Sequence, residues 1–146
     1  MNQISSEKIA LEQLETAIRL YEDSEEYISV ITLAGAAEEI LGKACREKGI
    51  RTALEDVQHN FYLYRKLKFG NCADEEKKKS ERFISDNENY ARNKAKHVNP
   101  VVEPTLHFSA QDEARGLLNR ALSNWWALGK PYTPSMLKFS QNDENV

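Results

Sequence analysis

The stretch Leu33-Ala34-Gly35-Ala36-Ala37 sits inside the most strongly patterned part of the chain. Around it Ile28, Ile31, Ala34, Ala37, Ile40, Leu41 and Cys45 recur three and four residues apart, the spacing of one helix face. Small side chains let a neighbouring helix come close, so the pattern predicts a central helix over roughly 25–48, stopped by Lys48-Gly49. Ser24, ahead of Glu25 and Glu26, suits its N-cap, with acids placed against the positive end of the helix.

Outward from this helix the remaining elements follow by the same logic. On the N-terminal side Ile9, Ala10, Leu14, Ala17, Ile18 and Tyr21 mark a first helix. On the other side Thr52-Ala53-Leu54-Glu55 has the capping-box pattern and opens a third helix through Val57, Phe61, Leu63 and Leu67, which Gly70-Asn71 stops. A polar connection over about 70–79 leads to a fourth helix from about Ser80 to His97, because Asn99 precedes Pro100 and a residue before proline avoids the helical region. Val98 to Phe108, with Pro100 and Pro104, reads as an extended linker. Ser109-Ala110-Gln111-Asp112 caps a fifth helix whose Leu117, Leu118, Ala121, Leu122, Trp125 and Leu128 form its buried side. Nothing shows sustained strand alternation, and there are no internal repeats. The expected fold is therefore all-α, an up-and-down bundle of about five helices in a single domain over 1–130. Residues 131–146 read as a polar C-terminal tail broken only by Met136, Leu137 and Phe139, with its last seven residues disordered.

The bulk numbers bound the function. The 146 residues fit one domain, and 40% apolar with 29% charged residues is a globular balance. No apolar run approaches the roughly 20 residues that cross a bilayer, so no membrane is expected as a partner. Residues Met1 to Ser6 carry neither a basic region nor an apolar core of a leader, which suggests a cytoplasmic protein with reduced Cys45 and Cys72. Three histidines and two cysteines lack metal-ligand spacing, and no phosphate-binding glycine loop, nucleophile elbow or His-Glu-x-x-His helix occurs, so neither metal nor cofactor is expected. The net charge of −3 argues against indiscriminate coating of nucleic acid. Its distribution is uneven: residues 77–97 hold 7 basic and 3 acidic side chains, against 9 basic and 15 acidic over 1–76.

That basic segment ends in Arg92-Asn93-Lys94-Ala95-Lys96-His97. With about 100° per residue and Arg92 at zero, Lys96 falls near 40°, Asn89 near 60°, Asn93 near 100° and His97 near 140°. Ala91, Ala95 and Val98 lie on the other side. One polar face thus gathers phosphate donors and a group that titrates near neutral pH. Cations in a last helical turn are also ordinary capping chemistry, worth roughly 0.3–1 kcal/mol each.

The stretch resembles the Arg-x4-His signature of the HEPN superfamily, including the polar residue after the arginine, and it lies near the end of a late helix as in that family. The segment from Ile31 to Lys43 also resembles the second helix of small bacterial HEPN-like proteins, and together the likeness spans roughly residues 9–128. The resemblance implies a metal-independent endoribonuclease, acting as a homodimer with two motifs face to face, of the toxin or defence kind and with an antitoxin protein as a further partner. On that model His97 assists proton transfer as the RNA 2′-hydroxyl attacks its own phosphate, Arg92 stabilises the phosphorane, and Asn93 orients the phosphate or His97. Lys94, Lys96 and Asn89 would bind RNA phosphate, and Glu39 would support His97 or Arg92. In toxins regulated through a modified tyrosine two residues after the histidine, that position corresponds to Asn99 here, which speaks against such control. Other members only bind nucleotides or partner proteins, the alternative reading. A plain helical dimerisation protein is the third. Tyr62, Tyr64, Trp125 and Trp126 suit either base stacking or a core and dimer interface, and Trp125 and Trp126 point about 100° apart, so only one joins the leucine stripe.

Overall fold

The computed structural model describes residues 1–144, and among them every regular element is a helix. There are seven: α1 (Ser6–Asp23), α2 (Tyr27–Glu47), α3 (Ala53–Phe69), α4 (Asp74–Glu88), α5 (Tyr90–His97), α6 (Ala110–Ala127) and α7 (Pro134–Glu144). None is long and apolar enough to cross a membrane.

The small-sided helix is central, as expected. α2 packs most extensively on α6 and α1. Its buried stripe of Val30, Ile31, Ala34, Ala37, Leu41 and Cys45 meets Leu117, Leu118, Ala121, Leu122 and Trp125 of α6 and Leu14, Ala17 and Ile18 of α1 in one core. Trp125 is buried and its indole N–H donates to the Pro131 carbonyl at 3.0 Å, whereas Trp126 stays 63% exposed, so the adjacent pair divides between core and surface.

The helical layout differs from the sequence expectation at three places, two of which raise the count from five to seven. Residues 74–79 are helical rather than a connection: Asp74, Glu75 and Glu76 occupy the first turn of α4, where the helix dipole favours carboxylates. The expected fourth helix is broken at Asn89 into α4 and α5. The tail folds: Pro134–Glu144 is helical, Met136 and Phe139 are buried, and Phe139 meets the Tyr21 ring edge-on at 5.4 Å. Ser140 to Glu144, expected to be disordered, belong to that helix, while residues 145–146 lie outside the described residues. Thr133 and Ser135 hydroxyls bond the Glu15 carboxylate, tying the start of α7 to α1. Ser24, expected as the N-cap of α2, instead donates its hydroxyl back to Leu20 O of α1 at 3.0 Å, and Glu25 makes the turn at φ 55°, in the left-handed region.

Downstream of α2 the expected capping box is complete: Thr52 Oγ1 accepts from Glu55 N and the Glu55 carboxylate accepts from Thr52 N. α3 and α4 form a hairpin joined by Gln58 Nε2, which donates to Glu81 O and Ser85 Oγ at 2.9 Å each, and by Arg65, which donates to Ser80 Oγ at 2.8 Å. No residue of α3 is buried.

Candidate functional site

The break at Asn89 sets the position of the candidate site. In a continuous helix the Glu88 carbonyl would accept from the amide four residues on. Here Arg120 of α6 donates to that carbonyl at 2.9 Å through Nη1 and to Asn89 Oδ1 at 2.7 Å through Nη2. A side chain inserted into the helical ladder is a recognised cause of a kink. Asn89 adopts φ −107° and ψ 3°, and α5 departs as a separate eight-residue helix that packs on α2. Asn89 is therefore a buried joint, 8% exposed with its amide oxygen taken, and the phosphate-contact role expected for it is corrected.

Arg92 does not face solvent freely. Its side chain, 15% exposed, runs across Gly35 of α2, and its Nη1 donates to Glu38 Oε2 at 3.0 Å. A Cβ on Gly35 would stand 2.7 Å from both Cγ and Cδ of Arg92, so the glycine is what lets the arginine stem cross the helix. The small-residue run, read as room for a neighbouring helix, is here partly a seat for this side chain. Glu38, 6% exposed, also lies 3.6 Å from Arg120 Nη2. Arg120 in turn has Glu88 Oε2 at 3.5 Å. Two guanidinium groups thus share one buried carboxylate, with a second, half-exposed carboxylate beside one of them. Such a cluster is held by mutual compensation: removing one member leaves an uncompensated buried charge. The Nε atoms of Arg92 and Arg120 are both buried without a hydrogen-bond partner.

The remaining cations of α5 are paired as well. Lys94 is bonded to Glu103, a hydrogen bond that pushes the lysine pKa above its ordinary value. Lys96 lies 3.5 Å from Glu39 Oε2. Glu39 also sits 3.3 Å from Lys43, whose hydrogen bond is the main reason the carboxyl is held below its usual range; partial burial opposes this, and Lys96 and Arg92 add to the lowering. Glu39 therefore supports Lys96, and the carboxylate that supports Arg92 is its neighbour Glu38. His97 and Asn93 are exposed on α5, and among the described residues neither side chain is held by a hydrogen bond.

The structure thus brings Arg92, Asn93, Lys94, Lys96 and His97 onto one short helix, and moves Asn89 into the interior. Sequence reasoning took Glu39 in place of Glu38 as the supporting carboxylate and missed Arg120 and the part played by Gly35. A signal for the first was present: Glu38 follows Ala34 by four residues and precedes Leu41 by three, on the apolar stripe, where a carboxylate needs a buried partner. Among the described residues no cluster of three or more His, Cys, Asp or Glu side chains is arranged to hold a metal ion. No family model, curated protein or solved structure matches this chain.

Proposed function

We propose that the end of α5 is an RNA-cleaving site of the HEPN kind, working without a metal and completed by a second copy of the chain. The observation that carries the reading is the pairing of a fixed guanidinium with an unrestrained imidazole on one eight-residue helix: Arg92 anchored by Glu38 through one nitrogen, and His97 exposed in the last turn. A donor held in place before reaction stabilises developing charge without reorganising at that moment. His97 moves the proton as the 2′-hydroxyl oxygen bonds to phosphorus and the bond to the 5′-oxygen breaks. The products are a 2′,3′-cyclic phosphate and a 5′-hydroxyl. DNA, lacking the nucleophile, is left intact. Lys94 and Lys96 reach phosphate by exchanging their carboxylate partners, which costs little because half-exposed ion pairs are worth about 0–1 kcal/mol.

A second reading is favoured by one finding: each Arg and Lys of α5 already has a carboxylate, so the α5 end of the basic segment is largely neutral in space. On that reading the chain is a HEPN-like module that binds a nucleotide or a protein and does not turn over. Purified protein incubated with RNA in EDTA separates the two. The ribonuclease reading expects cleavage ending in cyclic phosphate, lowered by about 10²–10⁴-fold in His97→Ala, with no attack on DNA. Equal cleavage by both proteins, or none by the wild type, sinks it.

A further inference from the structure

We infer that the α3–α4 hairpin is a binding surface for single-stranded nucleic acid, with a base received in the recess between Phe61 and Phe83 and backbone phosphates held by Arg65 and Lys79. Binding here is independent of the ribonuclease reading, which uses α5 alone.

Charge points to the hairpin first. From Val57 to Ala73 the chain has no Asp or Glu. Seven cations stand on the tip half of the hairpin: Arg65, Lys66 and Lys68 of α3, and Lys77 to Lys79 with Arg82 of α4. Among the described residues none of the seven is ion-paired. On α5, by contrast, Arg92, Lys94 and Lys96 are each matched by a carboxylate. The basic excess of residues 77–97 therefore divides in space, neutralised at its α5 end and open at its α4 end. Asp74, Glu75 and Glu76 stand against the positive end of α4, which offsets part of their charge. An open cluster of cations is what draws a polyanion in.

The aromatic side chains say which polyanion fits. A recess of about 290 Å³ lies between the two helices, lined by Phe61, Arg65, Lys79, Ser80 and Phe83. It sets two rings beside two cations, and no acid lines it. Ser80 is buried, and its hydroxyl accepts from Arg65 Nη1 at 2.8 Å. Among the described residues that is the one hydrogen bond of this guanidinium, so the arginine is fixed while the rest of its fork stays open to a phosphate. Tyr64 and Lys68 lie within about 100° of Phe61 and Arg65 around α3, on the same flank. Lys68 stands 5.7 Å from the centre of the Tyr64 ring, and Arg65 stands 6.0 Å from that of Phe69. Rings and cations thus alternate along the flank. Bases stacked on rings, with cations tracking the backbone, make a single-strand site that tolerates any sequence. A lipid surface calls for the opposite, apolar groups gathered on one side and cations on the other. A duplex keeps its base faces stacked away. Stacking and phosphate contact do not depend on the 2′-hydroxyl, so RNA and DNA strands are both ligands.

The test is fluorescence anisotropy with a labelled DNA strand of about 12 nucleotides, within the span such sites cover. The α5 chemistry cannot cut DNA, so binding is read apart from cleavage. Wild type is expected to bind the strand, and to bind the same sequence as a duplex at least about 10-fold more weakly. Phe83→Ala, at a position 58% exposed, is expected to keep its helical circular dichroism and to weaken binding about 5–100-fold. Lys79→Ala is expected to flatten the slope of log affinity against log salt by about 0.7, the share of one phosphate contact. Lys138→Ala, which removes an exposed cation of α7, is expected to change neither quantity. No binding by the wild type, equal affinity for strand and duplex, wild-type affinity in Phe83→Ala, or an effect of Lys138→Ala as large as that of Lys79→Ala would each overturn the proposal. So would flotation with phosphatidylserine vesicles while the strand goes unbound, which would assign the hairpin to a membrane surface. The matching RNA strand is scored for cleavage separately, and binding without cleavage counts against the ribonuclease reading alone.

Discussion

Neutralising Glu38 by Glu38→Gln tests the central electrostatic claim. The substitution keeps size and one hydrogen-bond acceptor and removes only the charge. In the native protein that charge faces Arg92 at 3.0 Å and Arg120 at 3.6 Å, with the three side chains 6%, 15% and 8% exposed. Deleting one partner of a buried ion pair costs about 3–5 kcal/mol, most of it from the charge left behind. Arg120 keeps the Glu88 carbonyl, the Asn89 amide and the Glu88 carboxylate, and Arg92 is open enough for some water to reach it. Both facts place the expected loss at the low end, about 3 kcal/mol, or roughly 6–12 °C in Tm for a domain of this size. The control is next door. Glu39→Gln removes the same charge from a carboxylate that is 41% exposed and pairs with lysines on the surface, so its cost is expected within about 1 kcal/mol. Urea unfolding followed by circular dichroism measures both, with an unchanged denaturant slope showing that the native fold persists. If Glu38→Gln lies within 1 kcal/mol of wild type, or costs no more than Glu39→Gln, the buried cluster is not what holds α5 to α2.

Two further outcomes follow from the same region. Gly35→Ala pushes a methyl to 2.7 Å from the Arg92 stem and is expected to destabilise by about 1–3 kcal/mol, whereas Gly42→Ala meets nothing nearer than 3.6 Å and is expected to be neutral or stabilising; equal thermal shifts would contradict the seat assigned to Gly35. The Glu39 carboxyl, held low first by its hydrogen bond to Lys43, contributes stability that is present above its unfolded pKa and is lost as pH falls through the lower folded value, so a carbon-detected NMR titration should give a midpoint below the ordinary 4.5, rising in Lys43→Met; a midpoint above 4.5 in the wild type would refute the assignment.

Local signals made much of the helical frame legible. The capping box at Thr52, the serine cap at Ser109 and the leucine stripe of α6 each need only residues within a turn or two. The errors share a cause. The break at Asn89 involves no proline or glycine and is made by Arg120, 31 residues away in sequence. Periodicity within the segment carries no trace of a side chain arriving from another helix. α7 was overlooked because its apolar residues are few; Met136 and Phe139, three apart, suffice once α1 offers a surface to cover. For α4 the signal existed, since three acids in a row suit a helix start, but the lysines after them made the stretch read as a polar connection.

The site shows the same division between what is local and what is not. In sequence Arg92, Lys94 and Lys96 look equivalent, three cations spaced two apart on one helix. Folding makes them different by giving each a carboxylate at a different depth. Glu103 and Glu39 are 36% and 41% exposed, so their lysines can trade them for another anion at small cost. Glu38 is buried, and Arg92 cannot leave it without removing that carboxylate's 3.0 Å hydrogen bond and leaving it only Arg120 at 3.6 Å. The arginine is thus a fixed donor and the lysines are exchangeable ones. A phosphate that docks at α5 would have its position set by Arg92 and its binding strength set by how readily Lys94 and Lys96 let go. Any function assigned to this helix has to use the three in those separate roles.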